Sequence, residues 1–327
     1  MLGYALRRLL WAGVLALAMS FVTFVILFQI PNDPARFLVP NQNPSERQLR
    51  AAREKLGVDD PFVVQYGRFL WRVAHLDLGY SYASIGMRQP VPVTTELRRA
   101  IPVTATLLIG GAVIWLSIAI PLGVLSAVRP GSVFDRFALL FALLGISAHP
   151  VVVGLFLRQT LGYNLGLAPV EGYCPMVGEG SCGPVGWAHH MLLPWLTISV
   201  LFAALYSRMI RVHVIDELRE GYVRTARAKG AREARILRSH VLRNSFLPIL
   251  AMIGMDIGLV FGSAVFVEEV FGLAGLGSLA LGASAGLVGF DLPVIAGVIL
   301  VVSMAVVLVN LVVDLLIGVI DPRVRVY

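Results

Sequence analysis

The groups able to do chemistry are few and widely spaced. Cys174 and Cys182 stand eight positions apart in a Gly/Pro-containing stretch, with His189 and His190 shortly after. Two thiols alone make a poor metal site, so no metal is expected. In an oxidising compartment the pair would close a small ring, against the alternative of two free thiols. Asp256 falls in the middle third of one apolar run, and His149-Pro150 sits deep in another. A carboxylate in hydrocarbon costs several kcal/mol, so it must face a partner or a water-filled space. Asp256 therefore reads either as a group on a solute pathway or as a hydrogen-bonded packing residue. His149 reads as a packing residue at a proline kink. No Ser/His pair, His-Glu-x-x-His or paired carboxylates fall in the apolar runs, so no catalytic residue is expected. There is no Gly-x-x-x-x-Gly-Lys-Ser/Thr loop to cradle nucleotide phosphates.

Polar chemistry is densest in one stretch, YVRTARAKGAREARILRSHVLRNSFLP (222–248). From Arg208 to Arg243 ten Lys/Arg face four acids, Asp216, Glu217, Glu220 and Glu233. Asp216 is placed to cap a helix with Glu217 and Glu220 in its first turn and Arg227 and Lys229 at its end, which complements the helix dipole. Gly230 stops that helix. A second follows, with Glu233 early and Arg238 and Arg243 late, before Phe246-Leu247-Pro248 leads into an apolar run. A helix–Gly–helix hairpin is a rigid knob, and its charge also suits anionic lipid headgroups.

The elements that position these residues are membrane spans. Of 327 residues 57% are hydrophobic and 14% charged, with mean hydropathy +0.79, whereas a soluble domain carries about a quarter charged residues. Six runs, Leu9–Ile30, Ile101–Val128, Phe134–Leu157, Met191–Met209, Phe246–Val267 and Leu292–Val319, are each long enough to cross roughly 30 Å of hydrocarbon. Arg7-Arg8 and Ala16-Leu17-Ala18 imitate a signal peptide, but the apolar run continues to Ile30, and an uncleaved anchor is expected. Positive residues mark the cytoplasmic side. Arg7, Arg8, Arg129, Arg136, the basic loop, Arg323 and Arg325 then put both termini inside and Cys174 and Cys182 outside. That distribution, rather than the net charge of +7, decides against nucleic acid as a partner.

The expected fold is an all-α polytopic membrane protein with six spans and a small helical insertion after the first. Its divisions are an N-terminal span (1–30), an extracytoplasmic helical region (31–96), a core (97–321) containing the basic loop (212–248), and a tail (322–327). In the insertion, Ser45-Glu46-Arg47-Gln48 fits a capping box and Gly57 a helix stop. Asp60-Pro61 opens a second helix with Phe62, Tyr66, Phe69, Leu70 and Val73 as its apolar stripe. Asp314, near the inner end of the last span, reads as an interfacial cap or ion pair.

The basic loop resembles the coupling loop of ABC-importer permeases, whose pattern is Glu-Ala-Ala, three residues, Gly, then a hydrophobic-x-Leu-Pro ending. Here Arg224-Thr225-Ala226, three residues, Gly230 and Leu247-Pro248 fill it. Arg224 departs from the acidic position and resembles the peptide-permease branch, so no ion pair is carried over from the acidic form. Asn32-Asp33-Pro34, LGVDDPFVVQYGRFL (56–70), Asp77-Leu78-Gly79-Tyr80-Ser81, VFVEEVFGLAGLG (265–277) and VDLLIGVIDPRVR (313–325) extend the resemblance to the oligopeptide/dipeptide subfamily. The resemblance implies a permease in the bacterial cytoplasmic membrane for oligopeptides or dipeptides. Its partners would be a second homologous permease, one or two cytoplasmic ATPase subunits that hold ATP and Mg, an extracytoplasmic solute-binding protein and membrane lipids; the chain itself would bind no cofactor. The coupling interface would be Tyr222, Arg224, Thr225, Ala226, Lys229, Gly230, Ala231 and Arg232, with Asp256, Glu268 and Glu269 on the pathway or gate. The alternatives are nickel chelates or glutathione-like solutes, or an ion-coupled secondary transporter, which would need intramembrane coupling groups and usually an internal repeat.

Overall fold

The computed structural model describes residues 2–28, 45–56, 60–84, 90–178, 180–284 and 291–320. In chain order the helices are α1 (Leu2–Phe28), α2 (Glu46–Leu56), α3 (Phe62–Ala74), α4 (Val93–Val128), α5 (Val133–Ser147), α6 (Pro150–Leu157), α7 (Gly183–Arg219), α8 (Gly221–Ala228), α9 (Glu233–Ile236), α10 (Leu242–Phe271), α11 (Leu276–Ser284) and α12 (Leu292–Ile320). Arg158–Asn164 and Leu237–Val241 are π-helical. Asn32-Asp33-Pro34, Gly57, Arg323 and Arg325 lie outside the described residues.

Among the described residues, five stretches are long and apolar enough to cross a membrane alone: Gly3–Ile26, Val93–Val128, Gly183–Arg219, Glu233–Phe271 and Leu292–Ile320. The third span, expected to kink at Pro150, is broken there outright: Val133–Ser147 and Pro150–Asn164 meet at 105°. With 15 residues, α5 is about 22 Å long, short of a full crossing. His149 Nδ1 accepts the Val151 N–H at 3.3 Å and Pro150 occupies the first turn of α6, so His149 caps the new helix at the bend.

The chain groups into two compact units. One comprises Leu6–Thr104 and Ala274–Leu308. In it Ser45 and Gln48 bond reciprocally, Ser45 N–H to Oε1 at 3.1 Å and Gln48 N–H to Oγ at 3.4 Å, as a capping box should. The stripe of α3 seats on α1: the buried Phe24 ring lies 5.3 to 5.5 Å from those of Phe62, Tyr66 and Phe69. Pro61 is the cap of α3 rather than its first helical residue. Val93, Leu97 and Ala100 of α4 pack with Leu276, Val294 and Val298. At the start of α12 the buried Asp291 carboxylate accepts the Ala83 N–H at 3.1 Å and the Ser81 hydroxyl.

The other unit comprises Met1–Ala5, Ala105–Leu273 and Val309–Tyr327. Its pillar is α7, and glycines let its neighbours come close, as membrane helices require. A methyl added at Gly110 would collide with Trp195, one at Gly145 with Ala204, and one at Gly123 would lie 2.7 Å from the Ser207 carbonyl oxygen. Trp195 Nε1 donates to the Thr106 carbonyl at 2.9 Å, and the Ser199 hydroxyl reaches the Gly111 carbonyl at 3.2 Å. The polar Trp195 and Ser199 side chains are thereby satisfied between helices, where hydrocarbon offers no partner.

Candidate functional site

The basic segment is a short helix slung between two long ones. The expectation that Asp216 caps it is corrected, because α7 continues through Asp216 and Glu217 to Arg219. The chain breaks at Glu220, whose backbone is extended (φ −63°, ψ 149°), and α8 starts at Gly221. An acidic pair late in an established helix cannot restart it, whereas a glycine weakens the helix where it stands.

One face of α8 holds it in place. Val223 is fully buried, as are Ile236 and Val241 beyond the turn. Tyr222, Arg224, Thr225, Arg227 and Lys229 are exposed, with Gly230 and Arg232 after the helix; Ala226 and Ala231 are half-buried. The helix ends in a Schellman turn. Gly230 sits at φ +77°, its N–H bonds the Arg227 carbonyl at 2.9 Å, and the Ala231 N–H bonds the Ala226 carbonyl at 3.1 Å. Arg227 then forks onto Glu233 at 2.7 and 3.2 Å across the turn.

Tyr222 ties the start of α8 to both long helices. Its hydroxyl donates to the Glu217 carboxylate of α7 and accepts from Asn244 Nδ2 of α10 at 3.1 Å. Burial and the Glu217 carboxylate push the Tyr222 hydroxyl up to about 12, against the opposing Asn244 amide. Beside it opens a cleft of about 730 Å³ lined by Tyr222, His240, Arg243, Asn244, Leu247 and Ile320 among others.

The other residues singled out lie elsewhere. Asp256, half-buried on α10, accepts the Tyr206 hydroxyl at 3.0 Å. Glu268 is fully buried, Glu269 is exposed, and Gly272 (φ +59°) closes α10 by bonding back to both carbonyls. Nearby, Arg158 Nη1 donates to the Val270 carbonyl at 2.8 Å and pairs with Glu171 at 3.3 Å. Cys174 and Cys182 are joined in a disulfide, Cα atoms 6.0 Å apart. His189 and His190 bond the Leu167 and Gly186 carbonyls. Among the described residues no three His, Cys, Asp or Glu converge as metal ligands.

Sequence reasoning missed one cluster. Asp135, 3% exposed on the first turn of α5, receives Arg211 of α7 as a fork at 2.7 and 3.0 Å. It also accepts the Ser126 hydroxyl of α4 and the Gly131 N–H at 2.8 Å. Ser132-x-x-Asp135 carries a legible cap signature, but nothing in the spacing pairs Asp135 with a residue 76 positions away.

Geometry and composition define a polytopic all-helical membrane protein with a rigid basic helix exposed between two long ones. The chain belongs to the binding-protein-dependent transport system inner membrane components, whose profile matches residues 119–326, while the N-terminal component of the same systems matches residues 1–108. It is similar over its whole length to a putative peptide permease protein of Brucella suis (36% identity, all of both chains). It is likewise similar to the dipeptide transport system permease protein DppB of Escherichia coli K12 (33% identity, 99% of each chain). Among solved structures, the MetNI methionine ABC transporter in inward-facing conformations contains a chain with the same fold: TM-score 0.54, 18% identity, covering 69% of this chain and 96% of that one.

Proposed function

We propose that this permease subunit forms part of the translocation pathway of an ATP-driven importer for dipeptides or oligopeptides, and that α8 with its Gly230 turn is the handle by which ATPase subunits move it. Both termini and α8 then face the cytoplasm, in line with the positive residues around them. A second permease completes the pathway, a binding protein delivers solute from outside, and ATP with Mg is held by the ATPases. Asp256, Glu268 and Glu269 line or gate the route. The peptide reading rests on the relatives, which are named as peptide and dipeptide permeases over essentially their full lengths.

The observation that carries the coupling role is the construction of α8. A flexible basic loop would serve membrane orientation equally well. This segment is instead fixed by Val223, the Tyr222 bonds and the Schellman turn, while Arg224, Thr225 and Lys229 stay exposed. That is a rigid surface rather than a tether. In the reconstituted complex, Gly230→Pro should abolish solute-stimulated ATP hydrolysis with membrane insertion intact. Normal coupling would overturn the assignment. The solute class is tested separately, by identifying the ligand that copurifies with the cognate binding protein; a nickel chelate or glutathione-like compound would replace peptide.

A further inference from the structure

We infer that Asp135, Arg211 and Ser126 form a latch that makes the ends of α4, α5 and α7 move together with α8. The inference rests on the coupling role proposed above and adds the residues that carry its motion inward.

Each arm of the latch comes from a different helix. Ser126 is in the last turn of α4, Asp135 in the first turn of α5, and Arg211 on α7. The Asp135 carboxylate has all four acceptor positions filled: Oδ1 by Arg211 Nε at 2.7 Å and the Ser126 hydroxyl, Oδ2 by Arg211 Nη2 at 3.0 Å and the Gly131 N–H at 2.8 Å. Arg211 Nε also reaches Ser126 Oγ at 3.0 Å, which closes a triangle between the three helices. Beyond Arg211, α7 continues unbroken to Arg219, and the cap residue Glu220 opens α8 directly. A displacement of α8 therefore reaches Arg211 through about 12 Å of intact helix.

Two facts separate a latch from ordinary packing. Toward the far end of α5 from Asp135, α5 already meets α7 through Gly145 and Ala204, a contact of small apolar groups. Such surfaces can slide, whereas a fork saturated on both oxygens has one geometry. Stability alone does not call for a buried ion pair, since apolar residues of similar volume commonly serve as well or better. The guanidinium also borders a cleft of about 570 Å³ with Val128, Pro130, Val212 and Ile215. α4 and α7 also pack closely where Gly123 lies against Ser207 and Ile210, and the polar tie adds a directional constraint to that contact.

The test uses the complete transporter in proteoliposomes, with both permeases, ATPases and loaded binding protein, measuring solute transported per ATP hydrolysed. Asp135→Leu with Arg211→Met removes both charges together and leaves neither stranded. We expect wild-type assembly and basal ATP hydrolysis, with transport per ATP reduced roughly two- to thirty-fold, the range for residues that transmit coupling. Should that pair fail to assemble, Ser126→Ala trims one arm without unpairing a charge and should lower the ratio with assembly intact. Arg211→Lys, which keeps charge but not the fork, should fall between wild type and the apolar pair. An unchanged ratio in assembled apolar-pair or Ser126→Ala complexes overturns the latch. Gly230→Pro separates the two ideas: if it also couples normally the handle itself is wrong, and if it alone uncouples only the latch is wrong.

Discussion

Replacing Gly230 by alanine, asparagine and proline gives a graded test of the coupling role proposed for its turn. A Cβ at Gly230 would meet nothing within 4 Å, so any effect of alanine is conformational rather than steric. At φ +77° an alanine is disfavoured by about 1–2 kcal/mol, while asparagine visits the left-handed region more readily. An energy of that size raises the fraction of opened turn by roughly five- to thirty-fold. Proline holds φ near −65° and removes the N–H that bonds Arg227, which costs about 3 kcal/mol or more. Hydrogen exchange of the Gly230 and Ala231 amides, both bonded in the Schellman turn, reads the opening directly in the first two variants. Solute-stimulated ATP hydrolysis reads its consequence. The expected order of coupling is Gly, Asn, Ala, then Pro, with exchange rising as coupling falls. If alanine and asparagine were indistinguishable, or if exchange rose while coupling stayed at the wild-type level, the argument from backbone geometry would fail.

Tyr222→Phe should loosen α8 from α7 and α10 and lower coupling, read by exchange of the α8 amides. Because the folded Tyr222 hydroxyl titrates near 12 against an ordinary 10, its contribution is full below pH 10 and lost as pH rises toward 12; α8 protection should fall across that window in wild type and show no such step in the Phe variant. Serine at Cys174 and Cys182 should make the 174–182 loop more protease-sensitive without abolishing insertion, since closing a ring this small stabilises by about 2.5 kcal/mol. Phe24→Ala empties the centre of the α1–α3 aromatic cluster at about 3–5 kcal/mol; trypsin should then cut after Arg68 or Arg72, and unchanged resistance would mean that α3 is held elsewhere.

Apolar runs were legible in the sequence because a span in hydrocarbon has no other way to be stable. The capping box at Ser45 and the stop at Gly230 were legible for a related reason: each is a local hydrogen-bond problem solved within a few residues. Helix extents were not, since a formed helix propagates cheaply into polar sequence, and α7 accordingly passes through Asp216 where a new start was expected. Pro150 announced a kink, but the 105° bend also depends on where α6 finds a seat, with Gly154 against Thr197 and Val270. Asp135 and Arg211 were invisible as a pair because their meeting is created by the packing of α5 on α7.

The same distinction bears on how work would pass through the subunit if α8 is the handle proposed above. Tyr222 binds the start of α8 to α7 and α10, and the Gly230 turn with the Arg227–Glu233 fork binds its end to the helix that follows. A push on the exposed face of α8 thus cannot be absorbed by α8 moving alone. It is divided between two long helices, one carrying Arg211 and the other Asp256. Those helices meet deeper in the same unit, where Tyr206 of α7 donates to Asp256 of α10. Followed along the chain, the α10 branch passes through the π-helical Leu237–Val241, where the regular hydrogen-bond ladder is interrupted; the Tyr222–Asn244 bond reaches α10 beyond it. The α7 branch has no such interruption between Arg211 and Arg219. Of the two routes that follow the chain inward from α8, the one through α7 to the Asp135 latch is therefore the more regular.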